Sequence, residues 1–252
     1  MNARALLWIA APVFLACSLN AQESTEPSRG PDGGTRTRVE GIQVLPVTGK
    51  PFSGRDSIEW TRTLEDGSVV TTHLTALVAR DSQGRIRRER VSFVPANSNE
   101  QSKVMETVVV DPGEHTRTTC TIATRLCTIT RYYLPAKFTP VAAGPLENGT
   151  RFLTRESLGT NIVDDLNAVG TRETLTINAG VIGNNQPVVT TREFWYSSDL
   201  EINLSVTRKD PREGTQVIQL VDLSRSEPDA TLFQVPAGFT IVDTRTEGKT
   251  EN

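Results

Sequence analysis

Turn signals constrain this chain more than any other feature. Glu65-Asp66-Gly67, Asp81-Ser82-Gln83-Gly84, Asp111-Pro112-Gly113, Gly183-Asn184-Asn185 and Asp210-Pro211-Arg212-Glu213-Gly214 divide it into runs rich in Thr, Val and Ile. Asp, Asn, Gly and Pro in these combinations supply hairpin conformations, and β-branched residues, stiff at χ1, fit the pleated surface between them. Ser68 to Ala79, Thr171 to Ile177, Pro187 to Tyr196 and Thr215 to Leu223 are such runs. Alternation is cleanest from Glu201 to Thr207, which places Ile202, Leu204 and Val206 inward and Glu201, Asn203, Ser205 and Thr207 toward water. One covered and one wet face is the antiparallel pattern. The strand from Thr215 differs, with Val217, Val221 and Leu223 on one face and Ile218 and Leu220 on the other, so something is expected to pack on its second side. The fold class is therefore mainly β, with ten or so strands in a strongly curved antiparallel sheet or open half-barrel, or else a sandwich, and one to three short helices. Ser226 and Asp229 make a capping-box pattern for a short helix over Pro228 to Gln234, stopped at Pro236, and a second is placed between Phe138 and Leu146.

The N-terminus reads differently. After the single charge of Arg4, an apolar run extends from Ala5 to Cys17, too short to cross a bilayer as a helix, and the chain turns polar at Gln22. Residues 1–21 are expected to be a signal peptide cleaved after Ala21. A competing reading takes Phe14-Leu15-Ala16-Cys17 as an imperfect lipoprotein box, with Cys17 lipidated. Residues 22–38 hold too little apolar surface to offset the entropy of ordering them and are read as a flexible leader. Residues 39–243 make a single β-rich domain and 244–252 a disordered tail. The expectation is an exported protein of the periplasm or cell envelope, with no transmembrane span and with possible lipid anchoring through Cys17.

A net charge of −3 gives no electrostatic footprint for nucleic acid, which is excluded as a partner. Cys120 and Cys127 remain in the mature chain. A turn at Ala123-Thr124 sets them opposite each other, and an oxidising compartment lets the pair close. The loop so closed stabilises by about 2.5 kcal/mol in the chain-entropy model, enough to staple a hairpin but not to hold a fold.

Catalytic chemistry finds little support. His73 and His115 have no orienting partner in sequence, and no nucleophile elbow, zinc-binding helix or phosphate-binding loop is present, so no cofactor, metal or catalytic residue is assigned. Asp164 and Asp165 are read as a polar turn between Val163 and Leu166; an unrecognised hydrolase is the third-ranked function. Arg85, Arg87, Arg88 and Arg90 are read either as charges that deter edge pairing or as a contact for an anionic headgroup. Trp60, Phe194, Trp195 and Tyr196, with Phe52, are either ordinary core or the lining of an apolar site, with Phe194 and Tyr196 on one face of their strand and Trp195 on the other.

Several segments together carry a resemblance: Ala79-Arg80-Asp81-Ser82-Gln83-Gly84-Arg85, Glu156-Ser157-Leu158-Gly159-Thr160, Arg192-Glu193-Phe194-Trp195-Tyr196-Ser197-Ser198-Asp199-Leu200, Asp210-Pro211-Arg212, and Glu227-Pro228-Asp229-Ala230-Thr231-Leu232-Phe233-Gln234-Val235-Pro236. Through them the chain resembles a large group of secreted bacterial β-rich proteins that brings no site residues with it. More distantly it resembles the lipoprotein-carrier fold of the LolA-like carriers and the N-terminal domain of the RseB-like regulators. That resemblance implies a curved half-barrel able to hold acyl chains in its concave face, or a surface that meets an envelope protein. The leading expectation is a non-catalytic protein that binds a hydrophobic, lipid-like ligand; the alternative is an interaction or sensing module without a small ligand.

Overall fold

The computed structural model describes residues 41–135 and 140–245. The strands are β1 (Phe52–Thr63), β2 (Val69–Arg80), β3 (Ile86–Val91), β4 (Val94–Pro95), β5 (Val104–Asp111), β6 (Thr116–Thr121), β7 (Leu126–Arg131), β8 (Gly144–Leu146), β9 (Arg151–Val163), β10 (Leu166–Ile177), β11 (Val188–Ser197), β12 (Ile202–Asp210), β13 (Gly214–Ser224) and β14 (Thr240–Asp243). They form one open, curved 14-stranded sheet in the order β14-β7-β6-β5-β3-β2-β1-β13-β12-β11-β10-β9-β8, with β4 beside β2. Every pairing is antiparallel except that of β14 with β7.

The turns form where Asp residues precede them, by one repeated device. Asp66, Asp81, Asp111 and Asp210 each accept, through Oδ1, the backbone N–H two residues on, at 2.9, 3.0, 2.9 and 2.9 Å. A carboxylate that caps the turn in this way satisfies a donor the ladder leaves free. Asp164 and Asp165 sit at φ 48° and 59° in the two-residue turn joining β9 to β10, the geometry that matches the twist of paired strands. Cys120 and Cys127 are directly opposed on β6 and β7 and are disulfide-bonded, with the turn lying at residues 122–125.

The core gathers on the middle of the sheet. Phe52, Ile58, Leu74, Val78, Ile218 and Leu220 are buried there, under Ile42 and Val44 of the segment that enters β1 and with Phe93 packed at the margin. Arg80, with no exposed surface, is the largest fully buried side chain. It is held by backbone carbonyls: Nε and Nη2 donate to Lys50 O at 3.0 and 2.8 Å, Nη1 to Leu45 O at 3.0 Å and Nη2 to Leu200 O at 2.5 Å. Its guanidinium lies 5.2 Å from the centre of the Phe52 ring. One buried cation thus fastens three separate segments, its charge offset by oxygens and a π face. Beside it Asp56 is 4% exposed and meets Arg88 at 3.3 Å, and Arg88 also donates to Ile42 O. Burial outweighs Arg88 and raises the Asp56 carboxyl to about 6.

Several expectations are corrected. The helix over Pro228 to Gln234 is a 3-10 turn of Ala230–Phe233, and the residue that caps it is Asp229, accepting from Thr231 N, not Ser226. Pro236 and the short span leave room for no further turn. Residues 136–139 lie outside the described residues, and the remainder of the second expected helix is β8, an extended edge strand followed by a 3-10 turn over Glu147–Gly149. Strand β3, which carries the arginine cluster, is not an edge: β2 and β5 flank it. In β13 Ile218 and Leu220 are buried, whereas Val217 and Val221 on the other face are only half-buried. The signal peptide over 1–21, Cys17, the leader over 22–38 and residues 246–252 of the expected tail lie outside the described residues; Thr244 and Arg245 are tied to β7, through Thr244 N to Ile129 O at 3.0 Å and Arg131 Nε to Arg245 O at 3.2 Å.

Candidate functional site

Two cross-strand rows define the site. The first runs Leu74, Ile58, Ile218, Val206, Phe194 and Thr171 across β2, β1, β13, β12, β11 and β10. The second, two residues further along each strand, runs Thr72, Trp60, Gln216, Arg208, Arg192 and Glu173. Residues two apart on a strand share a face, so both rows lie on one surface, apolar beside polar. Burial fades along the first row. Leu74, Ile58 and Ile218 are 8%, 2% and 6% exposed, but Val206, Phe194 and Thr171 are only half-buried. Phe93 covers the near end, its ring 6.0 Å from that of Trp60.

The polar row carries an imbalance of charge. Arg192 stands directly opposite Arg208. Neighbouring carboxylates are already taken: Glu173 by Arg155 at 2.5 Å, Glu193 by Arg172 at 2.7 Å, Glu213 by Arg208 at 3.1 Å and Asp210 by Arg212 at 2.7 Å. The hydrogen bonds from Arg212 hold Asp210 down to about 2, so it is ionised under ordinary conditions. Among the described residues no ion pair or hydrogen bond engages Arg192, and like charges set opposite each other on a sheet destabilise it. Gln216, next to Arg208 on β13, is 5% exposed, and its Nε2 has no partner. Trp60 is fixed at the covered end by its indole N–H, which donates to Glu213 O at 2.7 Å, and Arg62 stacks on its ring at 4.4 Å.

The residues singled out from sequence are divided by this geometry. Trp60 and Phe194 belong to the two rows. Trp195 lies over Gly170 on β10, where an added Cβ would come within 2.7 Å of its ring, and it packs against the core; Tyr196 is 39% exposed beside Val169. Phe52 is wholly buried under Arg80. Arg85, just before β3, and the three arginines of β3 each have a partner within the fold: Arg85 binds Asp81 at 2.6 Å and stacks on Phe233, Arg87 donates to Leu232 O at 2.9 Å, Arg88 holds Asp56, and Arg90 meets Glu106 at 3.0 Å. His73 is half-buried between Glu59 and Val94, and His115 sits in the β5–β6 turn at φ 52°. Sequence reasoning did not find Arg192, Arg208 or Gln216, because residues well apart in the chain become neighbours only through strand register. Even the spacing about the Ser198 to Glu201 turn does not pair the two arginines, since a bulge shifts the register between Trp195 and Tyr196.

No family model matches the chain, and no curated protein does. Among solved structures it is similar to an uncharacterized conserved protein from Thermus thermophilus, at 13% identity and a TM-score of 0.40 over 77% of this chain and 90% of that one. It is also similar to a chain of the MucA/MucB complex of Pseudomonas aeruginosa, at 15% identity and a TM-score of 0.38 over 77% of this chain and 58% of that one. A LolA superfamily protein from Nitrosomonas europaea matches at 11% identity and a TM-score of 0.30, over 75% of this chain and 92% of that one. The open, curved, mainly antiparallel sheet itself is the fold class that the sequence predicts.

Proposed function

We propose that the protein is a non-catalytic binding protein of the cell envelope that lays a hydrophobic, acyl-like ligand along the sheet face between Trp60 and Phe194. The observation that supports this reading is the apolar row itself: Ile58 and Ile218 continue outward as Val206 and Phe194, which stay half-buried. A flexible acyl chain lying across β12 and β11 would complete the cover that Phe93 gives the other end, removing apolar surface at about 25 cal/mol per Å². Export by a cleaved leader over 1–21, or anchoring through Cys17, would place it in the periplasm or on a membrane, where such ligands are found.

Titration of the delipidated protein with a fluorescent fatty acid tests the proposal. Saturable micromolar binding, weakened at least tenfold by Phe194→Asp or Val206→Asp, is the expected result. Binding absent in the unmodified protein, or indifferent to both changes, would overturn it.

A second reading, an interaction module for an envelope protein, draws on the part of this face that adjoins Phe194 and Thr171. Ile162, Val169 and Tyr196 are 68%, 52% and 39% exposed, on neighbouring strands. Crosslinking in the native envelope from residue 169, with capture of one defined partner that a Val169→Glu change abolishes, would favour this reading.

A further inference from the structure

We infer that the ligand of this face is an anionic amphiphile whose carboxylate or phosphate head is held by Arg192 and Arg208, with its acyl chain running along Phe194 and Val206. The inference rests on the acyl-binding reading and adds the chemistry and direction of the ligand. Three observations lead to it. Arg192 and Arg208 are direct cross-strand partners on β11 and β12; Glu213 and Asp210 pair with Arg208 at 3.1 and 3.7 Å but Arg192 forms no ion pair, so an anion set between the two would relieve their repulsion. Glu173 faces Arg192 across the β10–β11 ladder but is paired with Arg155, and among the described residues no carboxylate forms an ion pair with Arg192. Gln216, buried beside Arg208, retains an amide nitrogen without an acceptor. Guanidinium groups present paired N–H donors that match the two oxygens of a carboxylate or phosphate, and such charge-assisted bonds are stronger than neutral ones.

The adjoining residues set the direction. From Arg192 and Arg208, the residues two positions along their strands on the same face are Phe194 and Val206, and beyond Val206 lies Ile218. A head bound between the arginines therefore projects its chain onto the half-buried apolar row. In the cluster Arg85, Arg87, Arg88 and Arg90 every member, unlike Arg192, already has a partner within the fold: Asp81, Leu232 O, Asp56 and Glu106.

The test compares dodecanoate, dodecyl phosphate, dodecanol and inorganic phosphate on the delipidated protein by calorimetry. The two anionic dodecyl probes should bind about tenfold or more tightly than dodecanol. Arg192→Gln should reduce that preference to within about twofold, and Arg192→Lys should retain part of it. Arg192 is exposed and unbonded, so its replacement does not threaten folding; Arg208→Gln is the second variant and should act in the same direction. Equal binding of dodecanol and dodecanoate would overturn the head-group assignment and leave acyl binding standing. Failure of every dodecyl probe would overturn both, and inorganic phosphate binding as tightly as dodecyl phosphate would remove the acyl chain from the site.

Discussion

Ile58 and Phe194 stand in the same cross-strand row, on the same face of the same sheet, yet Ile58 is 2% exposed and Phe194 is half-buried. The strands do not differ in kind between these positions, since β1 and β11 are both long, antiparallel and paired on two sides. What differs is what lies above. The middle of the sheet is covered by chain that folds back on it, through Ile42, Val44 and Phe93, and is fastened by Arg80. In the wing of β9, β10 and β11, Leu153, Leu166, Ala168 and Ile177 are buried, but Phe194 and Thr171 stay half-buried beside partly exposed ion pairs such as Arg155 with Glu173. A sheet face left open in this way is where a ligand can add stability that the chain does not supply itself.

This contrast can be broken or sharpened by experiment. The largest difference is expected between two arginines. Arg80→Ala leaves the Lys50 and Leu200 carbonyls without their donor and empties a fully buried site, and should cost about 4 kcal/mol or more, while Arg155→Ala should cost less than about 1 kcal/mol, both measured by chemical denaturation. Equal effects would mean that the two halves are equally packed. Next, Ile58→Ala should destabilise by about 3 to 4 kcal/mol, and Phe194→Ala by only about 1 kcal/mol although it removes the larger side chain.

Acid titration should separate the halves by sign. Asp56, raised to about 6 in the covered half, is favoured when protonated. Its contribution is full below the unfolded carboxyl pKa near 4 and fades as pH rises toward 6, a change of up to about 3 kcal/mol. Asp210, held to about 2 at the base of the wing, acts oppositely. It stabilises fully above pH 4, and that contribution, up to about 2 kcal/mol, is lost as pH falls toward 2. Denaturation midpoints followed from pH 2 to 7 should show both slopes, with Asp56→Asn removing the upper one and Asp210→Asn the lower. Gly170→Ala should also destabilise, by about 1 kcal/mol or more, because the added Cβ would press on the Trp195 ring, which is half-buried and can shift, and on Leu158 Cβ at 2.9 Å.

Hairpins were legible in the sequence because their signals are local. Asp66, Asp81, Asp111 and Asp210 each cap a turn two residues away, and Cys120 faces Cys127 across a four-residue turn. Alternation in Ile202, Leu204 and Val206 likewise gave the inward face, although only the first two are fully buried. The apolar part of the site was partly legible for the same reason, since Trp60 and Phe194 stand out as large aromatics on strands. Its polar part was not, because Arg192, Arg208 and Gln216 become neighbours through pairing register, which a strand's own sequence does not encode.

By itself, then, the sequence determined where the chain turns, which residues alternate across each strand and that the cysteines pair, all consequences of backbone preferences within a few residues. Only the tertiary structure decided which part of the sheet is covered, that Arg80 is a buried fastener while Arg192 is left unneutralised, and that the β3 arginines are engaged within the fold. Burial and charge pairing depend on segments more than a hundred residues apart, as Arg80 and Leu200 are, and those meetings follow from how the whole sheet curves and what folds back upon it.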